Sequence, residues 1–246
     1  LFRDSKGKVH CLSDVCIHRG GSLSGGKIVK DCVQCPYHGW QFNGAGKCQQ
    51  IPSLGKNAKI PSRAKIDSYP TKEVYGLIFC FLGDVPEKER CPIMKVGEYE
   101  QEGWRTTTQY FQFDIDYKRS IENGIDGAHN EFVHPTHGFS GEDEEYKSPP
   151  IDMKSTKWGT GFWSKMYAPP LKEKKMREAS GRDKNAVMEA GTGHHGISML
   201  WTHIHPTAQV FIHQYMYETP IDDVINAFLI VILSYLPNRE SFITLS

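Results

Sequence analysis

Apolar and polar residues alternate in short runs over the first third of the chain, and turn residues separate these runs. Val9–Leu12 and Gln41–Asn43 are typical of brief strands, and Asn43 followed by Gly44 is a strong hairpin signal. Residues 75–82 form a longer apolar run with the aromatic and branched side chains that strands favour. The pattern predicts a small antiparallel β domain over residues 1–85.

Longer strands dominate the rest of the chain. Residues 106–114 and 209–218 alternate, and residues 226–236 are almost continuously apolar, as expected for a strand that is buried on both faces. Between them, residues 121–135 have the length and the Glu, Ala and Asn content of a short helix that ends before Pro135. We therefore predict an α+β fold, with a curved antiparallel sheet and helices over residues 104–246.

Two polar stretches interrupt this pattern. Residues 86–103 contain two prolines and the charged run 87–90, a composition typical of a connection between domains. The polar run 172–184 predicts an exposed loop. The predicted organisation is a first domain over 1–85, a linker over 86–103 and a second domain over 104–246.

Composition narrows the functional classes. Lys+Arg and Asp+Glu balance at 29 each, so charge gives no reason to expect binding to nucleic acid or to an anionic membrane. The odd count of seven Cys favours metal ligands over disulfides, and hence a reducing, cytoplasmic location. The longest apolar run, 227–233, is too short to span a bilayer. We expect the sequence to be a fragment cut at both ends, which leaves membrane association through the missing parts open.

Cys and His occur together at two points, Cys16-Ile17-His18 and Cys35-Pro36-Tyr37-His38, with sixteen residues between them. Two thiolates and two imidazoles are the ligand set of a Rieske [2Fe–2S] centre, in which two Cys hold one iron and two His hold the other. Because the Cys and His of one loop reach different irons, they lie close in sequence without sharing one metal. The spacing therefore fits a binuclear cluster better than a single ion.

Zinc is the alternative for this region. Cys32-x-x-Cys35 is also present, and this spacing is a common zinc half-site. Zinc motifs usually pair Cys with Cys and His with His, which Cys16-x-His18 does not do. We therefore favour the iron–sulfur cluster and keep zinc as the alternative.

The runs CIHRGGSLSGG, CPYHGW and FNGAGKC resemble the α subunit of the Rieske non-haem iron oxygenases, which include ring-hydroxylating dioxygenases and related monooxygenases and demethylases. The resemblance implies a Rieske domain over 1–85 and a helix-grip catalytic domain over 104–246. It also implies four [2Fe–2S] cluster ligands: Cys16, His18, Cys35 and His38.

A second group of polar residues lies in the predicted helix. Three residues of helix turn a side chain by about 300°, so Asp126 and His129 share a face. The five residues from His129 to His134 leave these side chains about 140° apart on an ideal helix. They share a metal only if the helix distorts or ends, for which Pro135 supplies a reason. Structural histidines are the alternative.

The motif Asn123-x-x-Asp126-x-x-His129-x-x-x-x-His134 matches the mononuclear-iron motif of the same family. The resemblance implies that His129 and His134 are two ligands of a 2-His-1-carboxylate Fe(II) site. Asp126 would connect a Rieske histidine of one subunit to His129 of the next. The third ligand is not assigned, and we expect it beyond Ser246; candidate acids inside the chain include Asp152, Glu189, Glu218, Asp222, Asp223 and Glu240.

His203 and His205 fall on one face of a predicted strand. Packing within the sheet is the favoured interpretation of these histidines, and a second metal site is the less favoured one. Trp201 and Tyr215 are interpreted in the same way, with a substrate pocket as the alternative.

The resemblance implies an oxygenase component that activates O₂ to hydroxylate or oxidatively demethylate a small organic substrate, with an aromatic substrate favoured. Electrons would come from NAD(P)H through a ferredoxin or reductase partner, and the chain would form a homotrimer or another homo-oligomer. The alternative is a Rieske-type ferredoxin, an electron carrier without substrate chemistry. A carrier needs no second domain, so the chain after residue 100 discriminates between the two.

Overall fold

In the computed structural model, the described residues are 1–135, 139–148, 150–180, 186–221 and 226–235. The chain divides into two compact units, Leu1–Arg90 and Cys91–Ser246. Strands form most of both units and helices are few, which confirms the predicted α+β class. The division falls inside the predicted linker, 86–103, whose limits stay a prediction. No helix in the described ranges is both long and apolar enough to cross a membrane.

The first unit consists of short antiparallel strands. Three of them pair in the order β1-β2-β7, four pair in the order β3-β4-β5-β6, and β8 and β9 form a hairpin. The strands are β1 (Phe2–Arg3), β2 (Val9–Leu12), β3 (Lys27–Val29), β4 (Cys32–Gln34), β5 (Gln41–Asn43), β6 (Cys48–Gln50), β7 (Ser68–Tyr69), β8 (Thr71–Val74) and β9 (Leu77–Cys80).

One hydrophobic core holds the first unit together and contains both motif cysteines. Phe42 lies at its centre with 0% exposure, and Leu23 and Ile51 are buried beside it. Cys16 and Cys35 belong to the same cluster of buried side chains, and Trp40 packs against it. Burial of each large apolar side chain contributes about 1.5–3 kcal/mol to folding, so the core fixes the loops from which the two thiols project.

The second unit is built on a seven-stranded antiparallel sheet in the order β10-β16-β15-β14-β13-β12-β11. Its strands are β10 (Trp104–Phe113), β11 (Lys154–Ser155), β12 (Gly159–Tyr167), β13 (Val187–His195), β14 (Met199–Thr207), β15 (Val210–Pro220) and β16 (Asn226–Tyr235). Its helices are α1 (Tyr117–Ile125), α2 (Asn130–Val133) and α3 (Lys174–Ser180).

Two local predictions were wrong. The predicted loop 172–184 contains helix α3, because its Lys, Arg and Glu residues are good helix formers as well as polar ones. The single helix predicted over 121–135 is two helices. Helix α1 ends at Ile125, Asp126 has extended backbone angles (φ −86°, ψ 117°), and α2 begins after His129.

Helix α1 lies unusually close to the sheet. Its residues Ile121 and Ile125 pack on Leu200 and Met216, which are neighbours on β14 and β15. Between the two isoleucines, a Cβ added at Gly124 would overlap Leu200 Cδ2, so only glycine permits this approach. The unit therefore depends on Gly124 for the position of the helix that leads to Asp126.

We predict that Gly124→Ala destabilises the protein by about 1–2 kcal/mol, because Leu200 is only 1% exposed and has little room to move. The loss exceeds the gain of up to about 1 kcal/mol from replacing a helical glycine by alanine. Denaturant unfolding measures the change. Gly127→Ala is the matched control, since an added Cβ there meets nothing within 4 Å. Equal stability of the two variants would contradict the prediction.

Candidate cluster and metal sites

The two Cys–His loops of the first unit have the same backbone design. The carbonyl of Cys16 accepts a hydrogen bond from Gly20 N at 2.8 Å, and the carbonyl of Cys35 accepts one from Gly39 N at 3.1 Å. Both glycines have positive φ, +69° and +73°, which glycine adopts without strain. Each cysteine N–H also donates to the carbonyl five residues later. Two similar turns thus present one thiol and one imidazole each.

These two turns place thiol beside thiol and imidazole beside imidazole. The Cys16 and Cys35 side chains are buried, each at 2% exposure. Burial, and the neighbouring Cys35 thiol, raise the pKa of the Cys16 thiol. The rings of His18 and His38 lie 4.5 Å apart, centre to centre, at an angle of 68°. The thiols therefore form one pair and the imidazoles the other.

The residues present fit a [2Fe–2S] cluster. His18 Nδ1 is buried and makes no hydrogen bond within the described residues, so it is a lone donor atom that a metal would satisfy. Trp40 stacks on the His18 ring at 4.7 Å and 7°, which fixes the ring orientation. Cys16 and Cys35 would hold one iron, and His18 and His38 the other. This ligand assignment stays a prediction.

Cys32, which the zinc alternative needs, has a different environment. It lies in β4 opposite Asn43. Burial, followed by Asp31 and Cys48, raises the pKa of its thiol. Its cysteine neighbour is therefore Cys48 of β6, whereas Cys35 has Cys16 as a neighbour.

In the second unit, the break between α1 and α2 brings His129 and His134 together. Asp126 Oδ1 accepts a hydrogen bond from Ala128 N at 2.8 Å, which turns the chain into α2. The Nε2 atoms of His129 and His134 are 3.0 Å apart. Burial and the facing His129 lower the pKa of His134, which favours the neutral imidazole that binds metals. The distortion that a shared metal requires is present, although it lies at Asp126 rather than at Pro135.

Asp126 lies behind this pair. Its Oδ2 is 3.6 Å from His129 Nδ1, and its side chain is 52% exposed. His129 Nδ1 is buried without a hydrogen-bond partner in the described part of the chain. The carboxylate is thus placed to orient His129 while its remaining surface is open to another molecule.

Glu131 is a further buried acid of this region, which no sequence motif indicated. Its carboxylate is 2% exposed and accepts hydrogen bonds from Ser140 Oγ at 2.8 Å and from Gly141 N at 2.7 Å. Burial alone would raise the pKa of Glu131, but these hydrogen bonds lower it. Glu131 therefore anchors the segment after α2 to the helix between the two histidines. A lone acid between the histidines gave no sequence signal, because its partners are defined only by the fold.

The third ligand of the proposed iron site stays unassigned. Among the described residues, no three His, Cys, Asp or Glu side chains already surround one ion position, so no carboxylate joins His129 and His134 as the side chains stand. Glu218 accepts a hydrogen bond from Ser120 Oγ at 2.6 Å, and Glu189 pairs with Lys165 at 3.1 Å. Three other acids, Asp222, Asp223 and Glu240, lie outside the described residues.

Comparison with known sequences identifies one matching domain family and several related proteins. The Rieske [2Fe-2S] domain family matches residues 1–70. The iron–sulfur subunit TsaM1 of the toluene-4-sulfonate monooxygenase system of Comamonas testosteroni is 34% identical over 161 residues, 65% of this chain and 45% of that protein. The oxygenase component of dicamba O-demethylase from Stenotrophomonas maltophilia is 35% identical over 134 residues, 54% of this chain and 39% of that protein. The chain thus spans less than half the length of these relatives.

Solved structures share the fold. A crystal structure of dicamba monooxygenase bound to dicamba has a TM-score of 0.78 at 21% identity and covers 96% of this chain and 69% of that one. The NdmA QL mutant of Pseudomonas putida CBB5 with caffeine has a TM-score of 0.74 at 22% identity and covers 94% and 63%. At such identities the likeness concerns the fold of the chain.

We predict that Cys35→Ser eliminates the iron–sulfur cluster, because serine cannot replace a thiolate beside the buried Cys16. Cys32→Ser is the matched control: it is equally a buried cysteine of this unit, and it would retain the cluster. Acid-labile sulfide and the EPR spectrum of the reduced protein measure both. Loss of the metal in both variants, with zinc and no sulfide in the parent, would support the zinc alternative instead.

Proposed function

We propose, on the premise that this chain contains a Rieske domain and is homologous to Rieske oxygenases, that it belongs to an oxygenase component. The proposed reaction is O₂-dependent hydroxylation or oxidative demethylation of a small organic substrate. The single observation that carries the proposal is the His129–His134 pair, with Nε2 atoms 3.0 Å apart, in a unit that electron transfer alone would not need.

The first unit would act as the electron-accepting end of the protein. A Rieske cluster, when bound, supplies one-electron chemistry at about −150 to +300 mV, above the roughly −400 mV of plant-type ferredoxins. Cys16, Cys35, His18 and His38 would hold it. Trp40 keeps the His18 ring in one orientation by stacking on it, which supports the ligand geometry.

The second unit would hold the oxygen-activating iron. Fe(II) in a 2-His-1-carboxylate site, when bound, supplies open positions for O₂ and for substrate approach. His129 and His134 would be its imidazole ligands. Asp126 would orient His129 and extend towards a Rieske histidine of a neighbouring subunit, a role that its exposed carboxylate permits.

The proposal also covers the substrate, the partners and the location of the protein. The names of two relatives specify toluene-4-sulfonate and dicamba, which favours a small aromatic substrate. Oxygenase components require an electron donor, so a ferredoxin or reductase that draws on NAD(P)H is the proposed partner. Assembly into a homotrimer or another homo-oligomer would let Asp126 connect two subunits. The free cysteines of the described residues favour a reducing, cytoplasmic location.

A Rieske-type ferredoxin remains the competing function. It would use the first unit in the same way but would give the second unit no catalytic metal. The His129–His134 geometry is what disfavours it. Both functions predict the same cluster, so the decisive experiments concern the second unit.

We predict that His134→Ala, in the full-length protein, removes one iron per chain and leaves acid-labile sulfide unchanged. Product formation would fall below detection, because His129 and a single carboxylate would hold the iron too weakly. The control is His195→Ala, a histidine of β13 whose Nε2 contacts the Pro92 carbonyl. Iron content, the EPR signal of the reduced cluster and turnover are measured together. Turnover or iron content at the parental level would refute the catalytic-iron assignment.

We predict that Asp126→Asn keeps both metals and slows oxidation of the reduced cluster by O₂ about 10–100-fold, the usual effect of removing a carboxylate behind a metal-bound histidine. Asparagine can still accept the Ala128 N–H bond, so the local fold is retained. Stopped-flow absorbance of the pre-reduced protein measures the rate. Glu122→Gln removes an exposed carboxylate of α1 and is the control. A parental rate in Asp126→Asn would exclude the bridging role.

A further inference from the structure

A second group of histidines lies on the sheet face that turns away from α1. Side chains alternate along β14, so Leu200 faces α1 while His203 and His205 point to the opposite face. His213 of β15 pairs with His203 across the strands and shares that face. The group is therefore separated by the sheet from helix α1.

His205 and His213 repeat the geometry of the proposed iron ligands. Their Nε2 atoms are 3.0 Å apart, the same separation as between His129 and His134. Two imidazole nitrogens that bind one ion at about 2.1 Å are about 3.0 Å apart when they subtend a right angle. Tetrahedral coordination would require about 3.4 Å. This separation is that of a hydrogen bond between the two rings, which a bound ion would replace. As a ligand spacing it suits octahedral or square-planar coordination.

Glu98 fixes the orientation of His213. Its Oε1 lies 2.9 Å from His213 Nδ1, and its Oε2 accepts a hydrogen bond from Tyr215 OH at 2.8 Å. A carboxylate only accepts hydrogen bonds, so Nδ1 carries the ring proton and the Nε2 lone pair of neutral His213 faces His205. A carboxylate behind a histidine is the usual support of a metal ligand.

Ring packing holds His213 in this position. The His203 ring stacks on it at 3.8 Å and 10°, and Trp104 lies 4.8 Å away, centre to centre. His213 is only 8% exposed, whereas His205 lies nearer the surface between Trp163 and Phe211. The pair therefore has one rigid member and one member through which an ion can enter.

Glu189 can supply a third ligand. It lies directly opposite His205 in the β13–β14 register, on the same face, and directly opposite Cβ atoms are about 4.5–5.5 Å apart. Its carboxylate now pairs with Lys165, but this side chain is 50% exposed, and exposed ion pairs contribute only up to about 1 kcal/mol. In the described residues no third ligand already converges on the His205–His213 pair. Glu189 would therefore have to leave Lys165 and turn towards the two imidazoles to complete the site.

We propose that His205, His213 and Glu189 form a second metal site, which binds one divalent transition-metal ion that favours right-angle coordination, such as Ni²⁺ or Cu²⁺. Glu98 is its positioning residue. Water fills the remaining coordination positions. The site shares no residue with the proposed oxygenase function and lies on the sheet face opposite helix α1.

Ni²⁺ binding tests this proposal. The background is the full-length protein with its cluster assembled and with His129→Ala and His134→Ala, so that the first histidine pair does not contribute. Isothermal titration with Ni²⁺, followed by metal analysis after dialysis, should give one ion per chain. We expect His205→Phe, which keeps the ring packing, to eliminate binding, and Glu189→Gln and Glu98→Gln to weaken it about 10–100-fold.

His195→Ala is the matched control and should leave Ni²⁺ affinity unchanged, since its Nε2 contacts only the Pro92 carbonyl in the described structure. Thermal unfolding of each metal-free variant checks that loss of binding is not loss of fold. The proposal is overturned if the background protein binds no Ni²⁺, or if His205→Phe and Glu189→Gln bind it as tightly as the background does.

Discussion

The point at which helix α1 stops places His129 and His134 beside each other in the second unit. The last carbonyls of a helix have no partner within it. Here the Gly124 carbonyl lies 2.9 Å from Thr192 Oγ1 of β13, so the sheet supplies the missing donor. Since Gly124 also permits close contact with Leu200, the helix is held at its end and the chain turns at Asp126. Without this turn, His129 and His134 would point in different directions.

In the first unit, the cysteine and histidine side chains are positioned mainly by contacts within their own loops. Each Cys–His loop closes on itself through hydrogen bonds to the cysteine backbone, with a left-handed glycine at the fifth position. The core around Phe42 then holds the two loops side by side. Such a motif can be recognised from the sequence because the backbone hydrogen bonds that shape each loop lie within six consecutive residues.

This difference explains what the sequence could and could not predict. The strands around residues 106–114, 209–218 and 226–236 follow from alternation and length, and the structure has them within a few residues. The break at Asp126 depends on Thr192, which lies 68 residues from Gly124 along the chain. Helix α3 was missed because polar residues that also favour helices were interpreted as a loop.

The two histidine pairs have the same nitrogen separation but differ in the carboxylate behind each pair. Both have Nε2 atoms 3.0 Å apart, and both have a carboxylate near an Nδ1 atom. Asp126 is half exposed, so its carboxylate can contact another molecule while it also lies beside His129. Glu98 is committed on both oxygens, to His213 and to Tyr215, and so only stabilises one orientation. Under the two proposals, the carboxylate behind the ligand, rather than the ligands themselves, would separate a centre that exchanges electrons with a partner from one that only holds an ion.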